Sequence, residues 1–308
     1  MEKNSINNTK NRNFTYDDIK NIINCEDKDS LNELFENARK IQETFNDKTQ
    51  FETNLYFPDI YRVEDNCPTC GYRTPESRRE YNLLYIKNIL EYRLRDINQY
   101  DIHAINCYFT NTLDENILKI VMNTLDQYDV DINVNINNWN DYNLISYFDV
   151  NSLIIDYSLL TKNYYTHNSI EEFDEISCKI SQIINDNLIK NISYEFPINI
   201  GETHIDLYQI FKIFRKNKPT SIEIKGYDPF YDSPGEYNPQ YSQQYLKKII
   251  SLLRIILPKT NLKLKYATNG NNDMEKNVKL GINTITGVYF DKNKPQLYNI
   301  DKIMNIKS

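Results

Sequence analysis

Cys67-Pro68-Thr69-Cys70-Gly71-Tyr72-Arg73 places two thiols three positions apart in a tight Pro/Gly loop. Thiolates at that spacing reach one soft metal centre, zinc or iron–sulfur; the same spacing also serves a redox pair. The chain holds five cysteines, an odd number at irregular spacing, which speaks against a disulfide framework and for a reducing cytoplasm. A zinc site would need two further ligands. The three histidines, His103, His167 and His204, are scattered, although His103 and Cys107 share a predicted strand face.

A second set of reactive side chains emerges from period-two alternation. In 131–137, Ile132, Val134 and Ile136 form the apolar face, so Asn133 and Asn135 face the other way. In 192–200 the apolar positions leave Ser193, Glu195, Pro197 and Asn199 on the opposite face. Glu223 and Lys225 oppose Ile222 and Ile224, and Lys263 and Lys265 oppose Leu262, Leu264 and Tyr266. Asp156 alternates with Ile155 at a strand end. A barrel core is ordinarily filled with Val, Ile and Leu, whereas this lumen would be lined by amides and charges. Either these groups satisfy one another, for example Glu195 or Glu223 against Lys225 and Lys263, or they hold a polar ligand.

The elements that position these residues follow from pattern. Thr15 with Asp17 and Asp18 marks a helix start, and Ser30 is read as the cap of a second helix carrying Leu31, Leu34, Phe35, Ala38, Ile41 and Phe45. Thr74-Pro75-Glu76 opens a helix reaching about Ile97. Strands are predicted near 53–57, 102–108, 130–136, 152–157, 191–200, 221–226, 261–267 and 282–287. Helices are predicted near 113–127, 140–148, 169–186, 203–216, 239–257 and 272–280. This alternation predicts a (β/α)8 barrel over 51–290, with a doubly wound sheet as the alternative. Residues 15–50 form an N-terminal helical extension, and 1–14 and 291–308 are tails. Gly71, Gly201, Gly226, Gly270 and Gly287 fall at or just after predicted strand ends, the end where barrel enzymes build their sites.

Composition narrows the function. With 36 basic and 43 acidic residues the net charge is −7, which gives no support to nucleic-acid binding. The longest apolar run, 249–257, is interrupted by Arg254, so no membrane span is expected.

Three further stretches bear on family. Asn199-Ile200-Gly201-Glu202-Thr203 follows a strand and forms a G-E-T segment. Ser221 to Gly287 contains the Gly226 strand end, Arg254-Ile255-Ile256-Leu257-Pro258 and Leu280-Gly281-Ile282-Asn283-Thr284-Ile285-Thr286-Gly287. Cys70-Gly71-Tyr72-Arg73 closes the cysteine loop, which a helical pair and a strand precede. On these residues, from about 15 to 290, the chain resembles the biotin-synthase-like branch of the radical S-adenosylmethionine (SAM) enzymes. Its Cys-Gly-Tyr-Arg ending resembles the relatives that act in hydrogenase-cofactor and amino-acid processing.

The resemblance implies a [4Fe–4S] cluster held by three cysteines spaced C-x3-C-x2-C, with SAM on the fourth iron. Reduction by an electron donor such as ferredoxin or flavodoxin would cleave SAM to a 5′-deoxyadenosyl radical acting on a small polar substrate. Cys67 and Cys70 match the second and third cysteines. The first falls on Val63, or on Tyr61 in a longer C-x5-C spacing, and Thr69 replaces a usual aromatic. Cys107 and Asp65 are the candidate substitutes, with Cys25 in a remote helix. Tyr72, Gly201 and Glu202 would contact SAM, and Asn133, Asn135, Asp156, Glu195 and Lys225 would orient the substrate. Of the ligands of biotin synthase's second, sulfur-donating cluster only Cys107 has a counterpart: Ser193 replaces another, and the arginine region reads Ala267-Thr268-Asn269-Gly270-Asn271. Biotin formation is therefore not expected. The missing first cysteine leaves a catalytically degenerate binding or accessory barrel as the alternative.

Overall fold

The computed structural model describes residues 14–44, 48–57, 83–95, 97–109, 113–156, 159–160, 170–186, 188–226, 242–265 and 271–287. Thr15 and Asp18 cap each other's backbone at the start of α1 (Tyr16–Ile23), a reciprocal capping box. The next helix, α2 (Lys28–Glu43), is capped by Asp27, whose carboxylate accepts from the Ser30 N–H at 2.9 Å. Ser30 thus lies inside the helix instead of capping it. Asp27 is equally suited as a cap, and its position lets the helix begin one turn earlier.

Eight parallel strands then close on themselves in sequence order. They are β1 (Gln50–Phe57), β2 (Ala104–Phe109), β3 (Asp131–Ile136), β4 (Ser152–Ile155), β5 (Asn191–Ile198), β6 (Ser221–Gly226), β7 (Asn261–Lys265) and β8 (Thr284–Thr286). Between them run α3 (Leu83–Leu94), α4 (Glu115–Leu125), α5 (Asp141–Ile145), α6 (Ile170–Asp186), α7 (His204–Asn217), α8 (Gln243–Ile256) and α9 (Asn271–Leu280). A short 3-10 turn, Ile97–Gln99, follows α3. The fold is a (β/α)8 barrel, not an open doubly wound sheet. The predicted start of α3 at Pro75 lies outside the described residues, as do residues 1–13 and 288–308. Among the described residues no helix is long and apolar enough to cross a membrane.

The hydrophobic core is the sleeve between strands and helices, where the outward strand residues meet the helices' apolar stripes. Ile105, Val134, Leu153, Phe196, Ile222, Leu262 and Ile285 are all buried there. Tyr194 and Phe196 of β5 pack on Phe214 of α7, with ring centroids 5.0 and 5.7 Å apart. Such packing dominates stability because each aromatic removes a large apolar area from water.

Cys107 belongs to this sleeve, contrary to the expectation that it reaches the lumen. Its neighbours Asn106 and Tyr108 take the inward positions, and the period of two sends Cys107 outward. It is fully buried in the apolar core, and burial pushes its thiol well above the usual range. His103, on the same parity, is half-exposed at the barrel's N-terminal end, 3.5 Å from Asp131. The two do not form a zinc site, and no group of three His, Cys, Asp or Glu able to hold a metal occurs among the described residues.

At that N-terminal end a buried guanidinium ties several elements together. Arg254, near the end of α8, donates to the carbonyl oxygens of Pro258 (2.8 Å), Thr260 (3.1 Å) and Gly281 (2.5 Å), and to Asn283 Oδ1. Gly281 has φ +146°, and a Cβ there would lie 3.0 Å from Arg254 Nε, so glycine permits the approach.

Candidate active site

The lumen is built in polar layers, set by the strand register. At the base, Ser152, Ser193 and Ser221 sit side by side on β4, β5 and β6, with Oγ–Oγ distances of 2.6 Å. Across from them Thr284 bonds Asn261 at 2.9 Å. The middle layer holds a buried ion pair, with Lys263 Nζ 2.7 and 2.8 Å from the two oxygens of Glu52. Asn106 donates to both Glu52 and Asn54, and Asn133 donates to Asn106 at 2.8 Å. Asn54 Nδ2, sealed from solvent, has no partner among the described residues.

Above this lies a plate that spans the barrel. Tyr108 of β2 and Thr286 of β8 each donate a 2.6 Å hydrogen bond to Glu223 of β6. Lys225 rests on it, its ammonium 4.4 Å from the Tyr108 ring centroid and 4.0 Å from Glu223, a cation–π contact as well as a charge contact. The same ammonium is ion-paired with Glu195 of β5, which is 1% exposed while Lys225 is 23% exposed.

Glu195 and Glu223 lie side by side in register, yet titrate in opposite directions. Burial raises Glu195 to about 8, with Lys225 pulling down and Asp156 and Glu223 pushing up. Burial would raise Glu223 too. There Lys225, the hydroxyls of Thr286 and Tyr108, and Lys263 outweigh it and hold the carboxyl below its usual range. The environment thus drives two chemically identical carboxyls apart.

Asp156 stands half-buried at the end of β4, on the same mouth. Asn135 of β3 accepts the Phe109 N–H at 2.6 Å through Oδ1. Gly201 and Glu202 form the β5–α7 turn. Asn199 (φ 64°) and Gly201 (φ 100°) adopt left-handed backbone, and Glu202 fastens the turn by accepting from the N–H groups of Asn199 (2.6 Å) and Ile200 (2.7 Å). Tyr245 of α8 adds a third bond to Glu202 at 2.6 Å. Among the described residues, these bonds fill three of a carboxylate's roughly four acceptor positions.

The structure therefore brings Asn133, Asn135, Asp156, Glu195 and Lys225 to the lumen, with Asn133 deepest and the others nearer the C-terminal mouth. Cys67, Cys70 and Tyr72 lie outside the described residues, in the segment after β1. Glu52, Asn54, Asn106 and Tyr108 were not singled out from sequence. The alternation Glu52, Asn54 against Phe51, Leu55, Phe57 carries the signal for the first two, but the strand was predicted to begin at Thr53.

No family model matches the chain, and no curated protein matches it. Solved structures do. The chain superposes on HydG, a maturase of the [FeFe]-hydrogenase, with TM-score 0.69 and 18% identity over 91% of this chain and 68% of that one. HydG from Carboxydothermus hydrogenoformans gives 0.67 at 18% identity, over 89% of this chain and 67% of that one. Methylornithine synthase (PylB) gives 0.72 at 15% identity, over 97% of this chain and 93% of that one. At these identities the likeness is one of architecture: the chain has the (β/α)8 fold of HydG and PylB.

Proposed function

We propose that this protein is a radical SAM enzyme of the biotin-synthase-like type, acting on a small polar substrate at the C-terminal mouth of its barrel. The observation that carries this reading is the coincidence of two features. The barrel matches HydG and PylB over nearly the whole chain, and Cys67-x2-Cys70 follows β1 directly, at the position of the family's cluster loop.

The donor set fits the cluster only in part. Cys67 and Cys70 supply two thiolates. Among the described cysteines Cys107 is turned into the core, Cys178 is exposed on α6, and Cys25 follows α1. When bound, a reduced [4Fe–4S] cluster with SAM would supply a 5′-deoxyadenosyl radical for hydrogen abstraction. In this reading Tyr72, the Gly201 backbone and the remaining lone pair of Glu202 serve SAM. Lys225 offers a cation to the substrate, held over Tyr108, and Glu195 holds a proton at its carboxyl. Glu223 stays ionised beneath them. Asn135 and Asp156 orient the substrate from β3 and β4. Ferredoxin or flavodoxin would deliver the electron, and the setting is cytoplasmic.

The test is iron and sulfide content after anaerobic purification and reconstitution. Wild type is expected to show sulfide-to-iron charge-transfer absorbance, and Cys67→Ala/Cys70→Ala to lose it. A second reading, an accessory barrel without radical chemistry, is favoured by Val63 and by the outward Cys107. A reconstituted wild type that binds no iron would establish that reading instead. Stoichiometric zinc would point to a hydrolytic or lyase site on the same cysteines.

A further inference from the structure

The ladder between β2 and β3 ends at Cys107↔Val134. Beyond it the two strands are joined by side chains. Asn135 Oδ1 accepts the Phe109 N–H at 2.6 Å, and Asn137 Nδ2 donates to the Phe109 carbonyl at 3.1 Å. Both amide orientations are chemically forced, because a backbone N–H can only donate and a carbonyl can only accept. Each side chain therefore spends one half of its carboxamide on Phe109 and leaves the other half over. Asn135 is left with two Nδ2 protons and Asn137 with Oδ1.

These leftover atoms have no hydrogen-bond partner among the described residues, and Asn135 as a whole is 4% exposed. Asn133 and Asn135 share the inward parity of β3, Asn137 follows the strand's end, and Asn133 reaches Asn106 on the inward side. The clasp thus presents a donor and an acceptor, two residues apart, at the rim of the mouth. A purely structural strand cap needs only the halves bonded to Phe109. A serine or threonine at strand ends does similar work with less desolvated polar surface.

We propose that Asn135 and Asn137 form a paired recognition edge for a ligand carrying an acceptor beside an N–H donor, namely a cis-amide or amidine edge. A lactam or a nucleobase presents such an edge. Asn135 Nδ2 donates to the ligand's acceptor, and Asn137 Oδ1 accepts its N–H. The edge rests on the reading of the mouth as a ligand site, though not on the presence of a cluster, whose test is the iron measurement above.

The experiment is two-dimensional amide NMR of the full chain, following the Asn135 side-chain NH2 resonances during titration with 2-pyrrolidinone, adenosine and cyclopentanone. The first two carry the paired edge, one as a cis-amide and one as an amidine; the third carries an acceptor alone. A saturable shift with 2-pyrrolidinone or adenosine, at least tenfold tighter than with cyclopentanone, is expected. Asn135→Asp keeps an oxygen for the Phe109 N–H and removes the ligand-facing donor, so it should fold normally and lose at least tenfold in probe affinity. No saturable shift with either paired probe, equal binding of cyclopentanone, or unchanged affinity in a folded Asn135→Asp would each overturn the proposal. If Asn135→Asp does not fold, the wild-type titration decides alone. A probe that shifts Lys225 and Glu195 signals without those of Asn135 would refute the edge while leaving the mouth a ligand site.

Discussion

Glu195 is the residue on which the mouth's chemistry turns, because its protonation state is set by surroundings that other residues control. Its carboxyl is raised from 4.5 to about 8, with burial as the first cause. A raised acid favours the fold while it is protonated. Its contribution is present below the unfolded value and is lost as pH rises through the folded one. Stability should therefore fall between about pH 4.5 and 8 for this group. Glu195→Gln removes the proton equilibrium and leaves Lys225 with Glu223 as a partner 4.0 Å away. The difference between urea midpoints at pH 5 and pH 8 should shrink in that variant. An unchanged difference would mean that Glu195 is ionised throughout and that Lys225 dominates its environment. Glu195 was readable from sequence because its strand alternates cleanly. Its opposition to Glu223 was not, since the divergence depends on Tyr108 and Thr286, which arrive from β2 and β8.

Strands carry the next level of the argument. Alternation located all eight of them because outward apolar positions recur wherever helices cover a sheet. Cys107, a candidate cluster ligand by resemblance, has its parity fixed only by the lumen-facing bonds of Asn106 and Tyr108 on either side. Alternation passed over Glu52, one residue outside the predicted β1. Glu52 and Lys263 form a buried pair spanning β8, whose Thr284 is paired in register with Lys263. Breaking such a pair leaves an uncompensated buried charge, at a cost on the order of 3–5 kcal/mol, whereas replacing both partners by apolar residues is often neutral. Glu52→Leu should therefore destabilise by about that amount in chemical denaturation, and Glu52→Leu/Lys263→Met should recover most of it. Equal losses in the single and double variants would show that Asn106, not Lys263, holds Glu52 in place. The cluster loop is the part that sequence raised and that lies outside the described residues; Val63 stands where the resemblance places the first cysteine, and Cys107 is buried in the apolar core.

For the whole molecule, closure of the barrel is uneven. β1 pairs with β2 at six positions but with β8 at two, Gln50↔Thr284 and Phe51↔Ile285. Outside the strands, α2 packs on α8 and α9, the helices that precede β7 and β8. Amides of β8 should lose protection from hydrogen exchange before those of β5 and β6, which also pair at six positions. Uniform protection across the eight strands would show that the two-position seam is as firm as the rest. Opposite the mouth, Arg254 gathers the turns before β7 and β8 through acceptors that are uncharged oxygens. A guanidinium stays protonated throughout the accessible pH range, and carbonyls do not titrate there at all. These Arg254 contacts are therefore indifferent to proton concentration, while the mouth, which carries Glu195, responds to it. Substitutions that retune the mouth can accumulate without disturbing what shuts the scaffold, so a barrel of this build can change its chemistry and keep its shape.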